Sequence, residues 1–168
     1  MTAVARPTTD LAALYAAHRL SLVRMAALLV DDLASAEDVV QDAFIAFHHS
    51  TDRLHDPNAA LGYLRRCVVN GARSMVRRRQ VARKYGHLGM QPDEPAADTE
   101  AMLADEHQSV LRALRRLPDR QREVLTLRYW SDLSEAQIAE ALGISRGAVK
   151  SNASRGMRRL ADLLGVSL

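Results

Sequence analysis

LSEAQIAEALGISRGAVKSNASRGMRR, residues 133–159, reads as two short helices joined by a tight turn. Ser134 is a good N-cap, and Gln137 three positions later completes a capping box in which side chains satisfy the orphan backbone donors of the first turn. Ile138, Ala139 and Leu142 give the first helix a buried side. Gly143 suits the left-handed backbone at which a helix stops, Ile144 plugs the angle, and Ser145 caps the second helix. On that helix Val149, Ala153, Gly156, Leu160 and Leu164 recur at helical spacing and face inward. Gly147, Ser151, Ser154 and Arg158 fall on the opposite side, flanked by Lys150 and Arg155. Two capped helices, a glycine turn and a small, polar, basic free face describe a helix-turn-helix. The bland alternative is a helical hairpin with a solvated cationic face; the lack of bulk on that face favours close approach to a DNA groove.

Around this motif, 168 residues hold one or two small domains, with 48% apolar residues for their cores. Only 4% are aromatic, so the cores are mostly aliphatic. The single cysteine, Cys67, excludes an intramolecular disulfide and a thiolate zinc cluster, which fits a reducing compartment. There is no signal-peptide pattern and no apolar run of bilayer length, so no membrane segment is expected and the protein is expected in the cytoplasm. A net charge of +3 conceals a segregation: −4 over residues 1–56, +8 over 57–90, −6 over 91–107 and +5 over 108–168. Two basic blocks divided by an acidic strip imply two contacts with a polyanion.

The spacing of Leu11, Leu14, His18, Leu22, Met25 and Leu29 predicts an amphipathic helix, with His18 as a core or boundary residue rather than a metal ligand. A second helix is expected from Ser35 to about His49, with Ala36, Val40, Ala43, Phe44 and Phe47 inward. Its outer side carries Asp38, Gln41, Asp42 and Ile45. Two readings of that side stand: a protein-docking surface built around an exposed isoleucine, or a solvated face in which Asp38 closes a capping box with Ser35. His48 and His49 diverge by about 100° on a helix, and no third ligand is evident, so no metal site is assigned.

Pro57 is well placed to begin a long helix reaching about Lys84. Leu61, Leu64, Val68, Ala72 and Met75 form its buried stripe, and Arg66, Asn70, Arg73 and Arg77 stand opposite, followed by Arg78, Arg79, Arg83 and Lys84. Asparagine among arginines is chemistry for bases together with phosphates. The competing reading, a merely solvated face, is weakened because no acid accompanies the arginines. Residues 86–99 hold two Gly and two Pro without periodicity, the composition of a flexible linker. Domains are therefore expected at 10–85 and 100–168. The second opens with a helix burying Leu103, His107, Val110, Leu111 and Leu114, and a further one beginning at Pro118 carries Val124, Leu125 and Tyr129 inward. The fold class is all-α, in two small helical domains.

Taken together, these segments resemble the bacterial sigma-70 family. LPDRQREVLTLRYWSDLSEAQIAEALGISRGAVKS, residues 117–151, resembles its region 4 signature. SAEDVVQDAFIAF, residues 35–47, resembles region 2.2, and YLRRCVVNGARSMVRRRQ, residues 63–80, resembles regions 2.3 and 2.4. Two domains and a bare linker resemble the extracytoplasmic-function subfamily, in its actinobacterial SigE-like branch. The resemblance implies a sigma factor that binds core RNA polymerase and directs it to promoters, with no catalytic residues and no cofactor of its own. Asp38, Gln41, Asp42 and Ile45 would dock on the polymerase β′ clamp helices, with the β subunit as a further contact. Arg66, Asn70, Arg73, Arg77 and Arg78 would read the −10 element, Asn70 taking an unstacked base. Arg146, Lys150, Ser151, Ser154, Arg155 and Arg158 would serve the −35 element. Promoter DNA and an anti-sigma factor are the other implied partners. Ala148, Asn152-Ala153 and Tyr63 depart from residues common in the family, which bears on base preference and not on class. The alternative function is a polymerase-independent helix-turn-helix regulator, which leaves the region 2.2-like helix without a role.

Overall fold

The computed structural model describes residues 10–50, 56–86 and 108–167, which form helices and short turns. The first three helices are α1 (Leu11–Leu29), α2 (Leu33–Ser50) and α3 (Pro57–Tyr85). They pack on one another as a bundle. α1 starts at Asp10, whose carboxylate accepts from the Ala12 amide at 3.0 Å. Its C-terminal half is buried almost without interruption, from Leu22 through Leu29 except Arg24. Phe47 of α2, Met25 of α1 and Leu64 of α3 are among the fully buried side chains where the three helices meet. Aliphatic residues dominate that centre, as the composition requires. Among the described residues α1, at 19 residues, does have the length and hydropathy of a bilayer-crossing helix, contrary to the sequence expectation. That apolarity has a different use here, since α1 packs against α2 and α3 and against the second group of helices.

α2 begins without the Ser35–Asp38 capping box that one of the two readings of its outer side contained. Asp32 is the capping group: its carboxylate accepts from the Ser35 amide and the Ser35 hydroxyl, both at 2.7 Å. Ser35 is accordingly buried inside the first turn, and Asp38 is left on the open face. Asp32 also pairs with Arg79 of α3 at 3.0 Å, and Arg79 donates to the Ser35 hydroxyl as well. Burial pushes the Asp32 carboxyl up, but the hydrogen bonds from Ser35 and Arg79 outweigh it and hold the group below the usual carboxylate value.

The second group of helices is α4 (Gln108–Arg115), α5 (Asp119–Leu125), a π-helical turn (Thr126–Trp130), α6 (Glu135–Leu142) and α7 (Arg146–Leu164). The expected Leu103 and His107 core positions lie outside the described residues, as does the linker beyond Gly86. Leu111 and Leu114 are buried as expected. Tyr129 is not: it is 64% exposed. A single i to i+5 turn adds a residue to the helical register, and the Ser131 amide bonds to the Thr126 carbonyl at 3.3 Å. Leu127 thereby stays buried while Tyr129 and Trp130 swing outward. Asp132 completes the reversal in the left-handed region at φ 51°, a conformation that aspartate tolerates better than most residues.

The helix-turn-helix forms as its sequence indicates. The Ser134 hydroxyl accepts from the Gln137 backbone amide at 3.2 Å, and Gln137 Oε1 accepts from the Ser134 backbone amide at 2.9 Å. Gly143 takes φ 63°, and Ile144 bonds back to the Ala139 carbonyl at 3.0 Å to close the helix stop. Ser145 caps α7 through the Ala148 amide at 3.1 Å. Gly156 is required by proximity: a Cβ there would stand 3.1 Å from Leu125 and 3.3 Å from Gln121, so α7 lies directly on α5. Val149 and Ala153 are buried on the same side, while Leu160 and Leu164 are half-buried and Ala161 fills the final turn.

The two groups of helices also touch. α1 packs on α4, α5 and the π-turn, and α3 packs on α6. Their buried apolar residues belong to one continuous cluster. The capping role of Asp32 yields a prediction. Asp32→Ala removes an N-cap and leaves Arg79 only the longer pair with Asp31, so it should cost about 1–2 kcal/mol. Because the folded pKa is depressed, the contribution is present above the unfolded carboxylate value and is lost as pH falls through the folded one. Urea unfolding of both proteins at neutral pH and in acid should show the difference shrinking in acid; a constant difference would remove Asp32 from this role.

Candidate nucleic-acid interface

Three surfaces carry the residues singled out by the sequence. The first is the outer face of α2. Asp38, Gln41, Asp42 and Ile45 are all exposed, and Ile45 keeps 49% of its surface open. Helical spacings of four and three positions bring Asp38, Asp42 and Ile45 onto one strip, while Val40, Ala43, Phe44 and Phe47 hold the opposite side in the core. The neighbouring Glu37 is neutralised by Arg19 at 3.2 Å. The strip is thus acidic around one apolar side chain.

The second surface is α3. Asp56 caps it by accepting from the Asn58 amide at 2.9 Å, with Pro57 at the first turn. Leu64, Val68, Val69 and Ala72 are buried, which turns Asn70, Arg73 and Arg77 away from the first bundle. Arg79 is drawn inward by Asp31 and Asp32, at 3.6 and 3.0 Å, and serves the fold. Arg77 and Arg78 are exposed, and Arg78 bonds to the Ser74 carbonyl of its own helix at 3.3 Å. Arg66 and Arg73 are engaged by the second bundle: Arg66 by Glu140 at 2.8 Å, Arg73 by Glu123 at 3.4 Å. Asn70 is exposed and stands with Arg73, Arg77 and Gln80 on one wall of a cleft of ≈610 Å³. Asp119, Arg120 and Glu123 form the other wall. Burial pushes the Glu123 carboxyl above its usual value, against the pull of Arg120 and Arg73. Cys67 is half-buried, and burial raises its thiol against Tyr63 and Arg66, so it remains a protonated packing residue.

The third surface is α7 with the start of α6. Arg146, Lys150, Ser151, Ser154, Arg155 and Arg158 are all exposed on it. Arg155 donates to the Ser151 hydroxyl at 2.7 Å, and Arg158 to the Ser154 hydroxyl at 3.4 Å, so the serines orient the guanidinium groups. Glu135 gathers three cations loosely: Arg128 at 3.8 Å, Arg146 at 3.9 Å and Lys150 at 3.9 Å. Asn152 satisfies the Ala148 carbonyl at 2.8 Å, so its amide is turned onto its own helix. Arg128, Glu123, Glu135 and Glu140 were not singled out in the sequence; only charge adjacency across folded elements reveals them. Among the described residues no group of His, Cys, Asp and Glu is arranged to hold a metal ion, and His48 and His49 face each other only as rings 5.7 Å apart.

Residues 14–82 match the Sigma-70 region 2 family and residues 107–160 match Sigma-70 region 4. The chain is 34% identical to the RNA polymerase sigma-E factor of Streptomyces avermitilis over 146 residues, covering 86% of this chain and 79% of that protein. It is 33% identical to the ECF RNA polymerase sigma factor SigM of Mycobacterium tuberculosis over 152 residues, covering 90% and 76%. Among solved structures, it is similar to sigma factor RpoE of Bartonella quintana in complex with the anti-sigma factor NepR, with a TM-score of 0.71, 25% identity, and 91% and 97% of the two chains covered. CnrH in complex with the cytosolic domain of CnrY is similar at a TM-score of 0.67 and 26% identity, covering 92% and 87%. An acidic strip, an arginine–asparagine helix and a capped basic recognition helix thus stand on a chain that matches both regions in order: it belongs to the sigma-70 family, as an extracytoplasmic-function sigma factor of the SigE-like type.

Proposed function

We propose that this chain binds core RNA polymerase through α2, reads the −10 element with α3 and the −35 element with α7, and so directs initiation to specific promoters. The observation that carries this reading is the exposed strip of Asp38, Gln41, Asp42 and Ile45, beside two separate basic faces. A stand-alone helix-turn-helix regulator has no use for that strip. A polymerase subunit does, because a sigma factor supplies specificity and leaves catalysis to the enzyme it binds. The site of action is then the cytoplasm. The RpoE and CnrH structures, each solved as a complex, RpoE with the anti-sigma factor NepR, support an anti-sigma partner here too.

In this reading Arg73, Arg77 and Arg78 hold backbone phosphates of the melted strand, and Asn70 pairs with a base edge. On α7, the serine-oriented Arg155 and Arg158 present fixed forks, while Arg146 and Lys150 exchange Glu135 for phosphate as duplex arrives.

Exchanging Asp38 and Asp42 for Arg should abolish co-purification with core polymerase while the circular-dichroism helix signal stays constant. Retained co-purification would place the dock elsewhere. For the −35 reader, Lys150→Ala and Arg155→Ala should each weaken promoter binding and lower the slope of log affinity against log salt by about one. Unchanged slopes would take α7 out of the phosphate contact.

Asn70→Ala separates base reading from phosphate holding. Asn70 is exposed, so its truncation opens no cavity, and a neutral amide adds little to phosphate affinity. Its loss should leave −35 duplex binding intact and relax preference at one −10 position by about 1–3 kcal/mol, or roughly tenfold to a hundredfold. Arg77→Ala should weaken all sequences about equally. Transcription from promoters varied base by base through the −10 element distinguishes the two. A uniform drop for Asn70→Ala would make Asn70 structural.

A further inference from the structure

Of the 23 Lys and Arg residues only Lys84 and Lys150 are lysines. A guanidinium stays protonated and is no nucleophile, whereas an amine becomes one on losing a proton. The basic face of α7 is therefore chemically uniform except at one point. Lys150 carries the only amine on that helix, and 68% of its side chain is open.

Its surroundings suit acyl transfer. Lys150 Nζ lies 3.9 Å from Glu135 Oε2, and Arg146 Nη2 lies 3.9 Å from the same oxygen. Arg128 Nη1 stands 3.8 Å from Glu135 Oε1. A carboxylate is thus one small rotation from the amine, and two guanidinium groups flank the pair. Arg146 and Lys150 are four positions apart on α7, so both side chains reach the same small anion. Glu135 is the first residue of α6, directly after the Ser134 cap, so a capped helical turn sets its place. Lys84 lacks such neighbours. It is exposed in the last turn of α3, sits over the Tyr85 ring at 5.8 Å, and has no carboxylate partner among the described residues. The two amines differ in what surrounds them and not in access to solvent.

We propose that Lys150 is an acylation site that takes acyl phosphates, and that its modification switches off one cation of the −35 reader. Glu135 takes a proton from the Lys150 ammonium, and the freed amine attacks the acyl carbon. The N–C bond forms as the C–O bond to phosphate breaks. Phosphate leaves with that electron pair and takes the second amine proton, while Arg146 and Arg128 hold its charge. Glu135 returns its proton to water, so one proton is released overall. The amide formed carries no charge, and duplex binding loses one phosphate contact. That consequence rests on α7 as the duplex reader; the acyl transfer itself does not.

The experiment incubates the full chain with acetyl phosphate and follows each lysine by peptide mass spectrometry. Lys150 should react about threefold to tenfold faster than Lys84, the margin expected of one or two exposed charge contacts to phosphate. With p-nitrophenyl acetate, whose leaving group bears no phosphate, the preference should be smaller, since only Glu135 then assists. Arg146→Ala and Glu135→Gln should each reduce the preference for Lys150 under acetyl phosphate. Equal rates at the two lysines would overturn the site. So would a preference just as large with the ester, or one that persists undiminished through both substitutions. The switch is tested in Lys84→Arg, where Lys150 is the only lysine left. A mixed-sequence duplex at low salt should protect Lys150 from acetyl phosphate. The acetylated chain should bind that duplex with a slope of log affinity against log salt lower by about one. Selective acylation with neither protection nor a changed slope would overturn the switch and remove α7 as the duplex reader, whereas loss of selectivity with protection intact would overturn the site and leave that reader standing.

Discussion

The guanidinium of Arg79, held against Asp31, Asp32 and Ser35, fixes the roll of α3 about its own axis. A 29-residue helix extends well past the bundle that supports it, and its apolar stripe thins out after Met75. Without a polar anchor at this end, the last turns of α3 would be held only by the half-buried Met75 and Val76, beyond the buried Leu64, Val68, Val69 and Ala72. With Arg79 turned to the α1–α2 turn, Arg77 two positions earlier must point nearly the opposite way, since consecutive residues step about 100°. The same carboxylate caps α2, so the start of the acidic strip and the aim of the basic stripe share one anchor. Both outward surfaces of the first bundle depend on it.

Much of this was legible in the sequence where local chemistry decides the outcome. The helix-turn-helix could be read almost residue by residue because Ser134, Gln137, Gly143 and Ser145 act on backbone groups within a few positions of themselves. The exposed strip of α2 was equally plain from spacing. The start of α2 was misjudged because Asp32 and Ser35 are both good capping residues, and only the placement of Arg79 decides between them. Tyr129 was misplaced because a π-turn shifts the register by one residue without leaving a periodic trace. The pairing of Arg66 with Glu140, 74 positions apart, had no sequence signal at all. α3 offers several arginines and the second bundle several carboxylates, and which ones meet depends on the packing of α1 against α4, α5 and the π-turn.

The scarcity of aromatic residues shapes the first bundle's chemistry as well as its core. Tyr63, where the family commonly has tryptophan, is tilted against Phe47 with ring centroids 6.1 Å apart, and its hydroxyl is 3.1 Å from that of Ser50. It is therefore engaged as a packing residue. Base stacking on aromatic rings stabilises splayed strands, and the outward face of α3 offers arginine and asparagine instead. Under the proposed role of α3, strand capture would lean on charge and on a single amide, which would favour promoters that are close to ideal.

Glu135 has a consequence for how such a protein finds its target. One carboxylate lies within 4 Å of three cations at the entrance to the recognition helix, so part of their field is cancelled before any duplex arrives. Contacts this loose exchange readily for phosphate, yet each exchange gives back less than an unpaired cation would. Sequence-independent sticking is the component most reduced, because it draws on charge alone. Under the proposed role of α7, a search across a genome would then be quicker to abandon each wrong site, and the dwell at the right one would rest on the oriented arginines further along the helix.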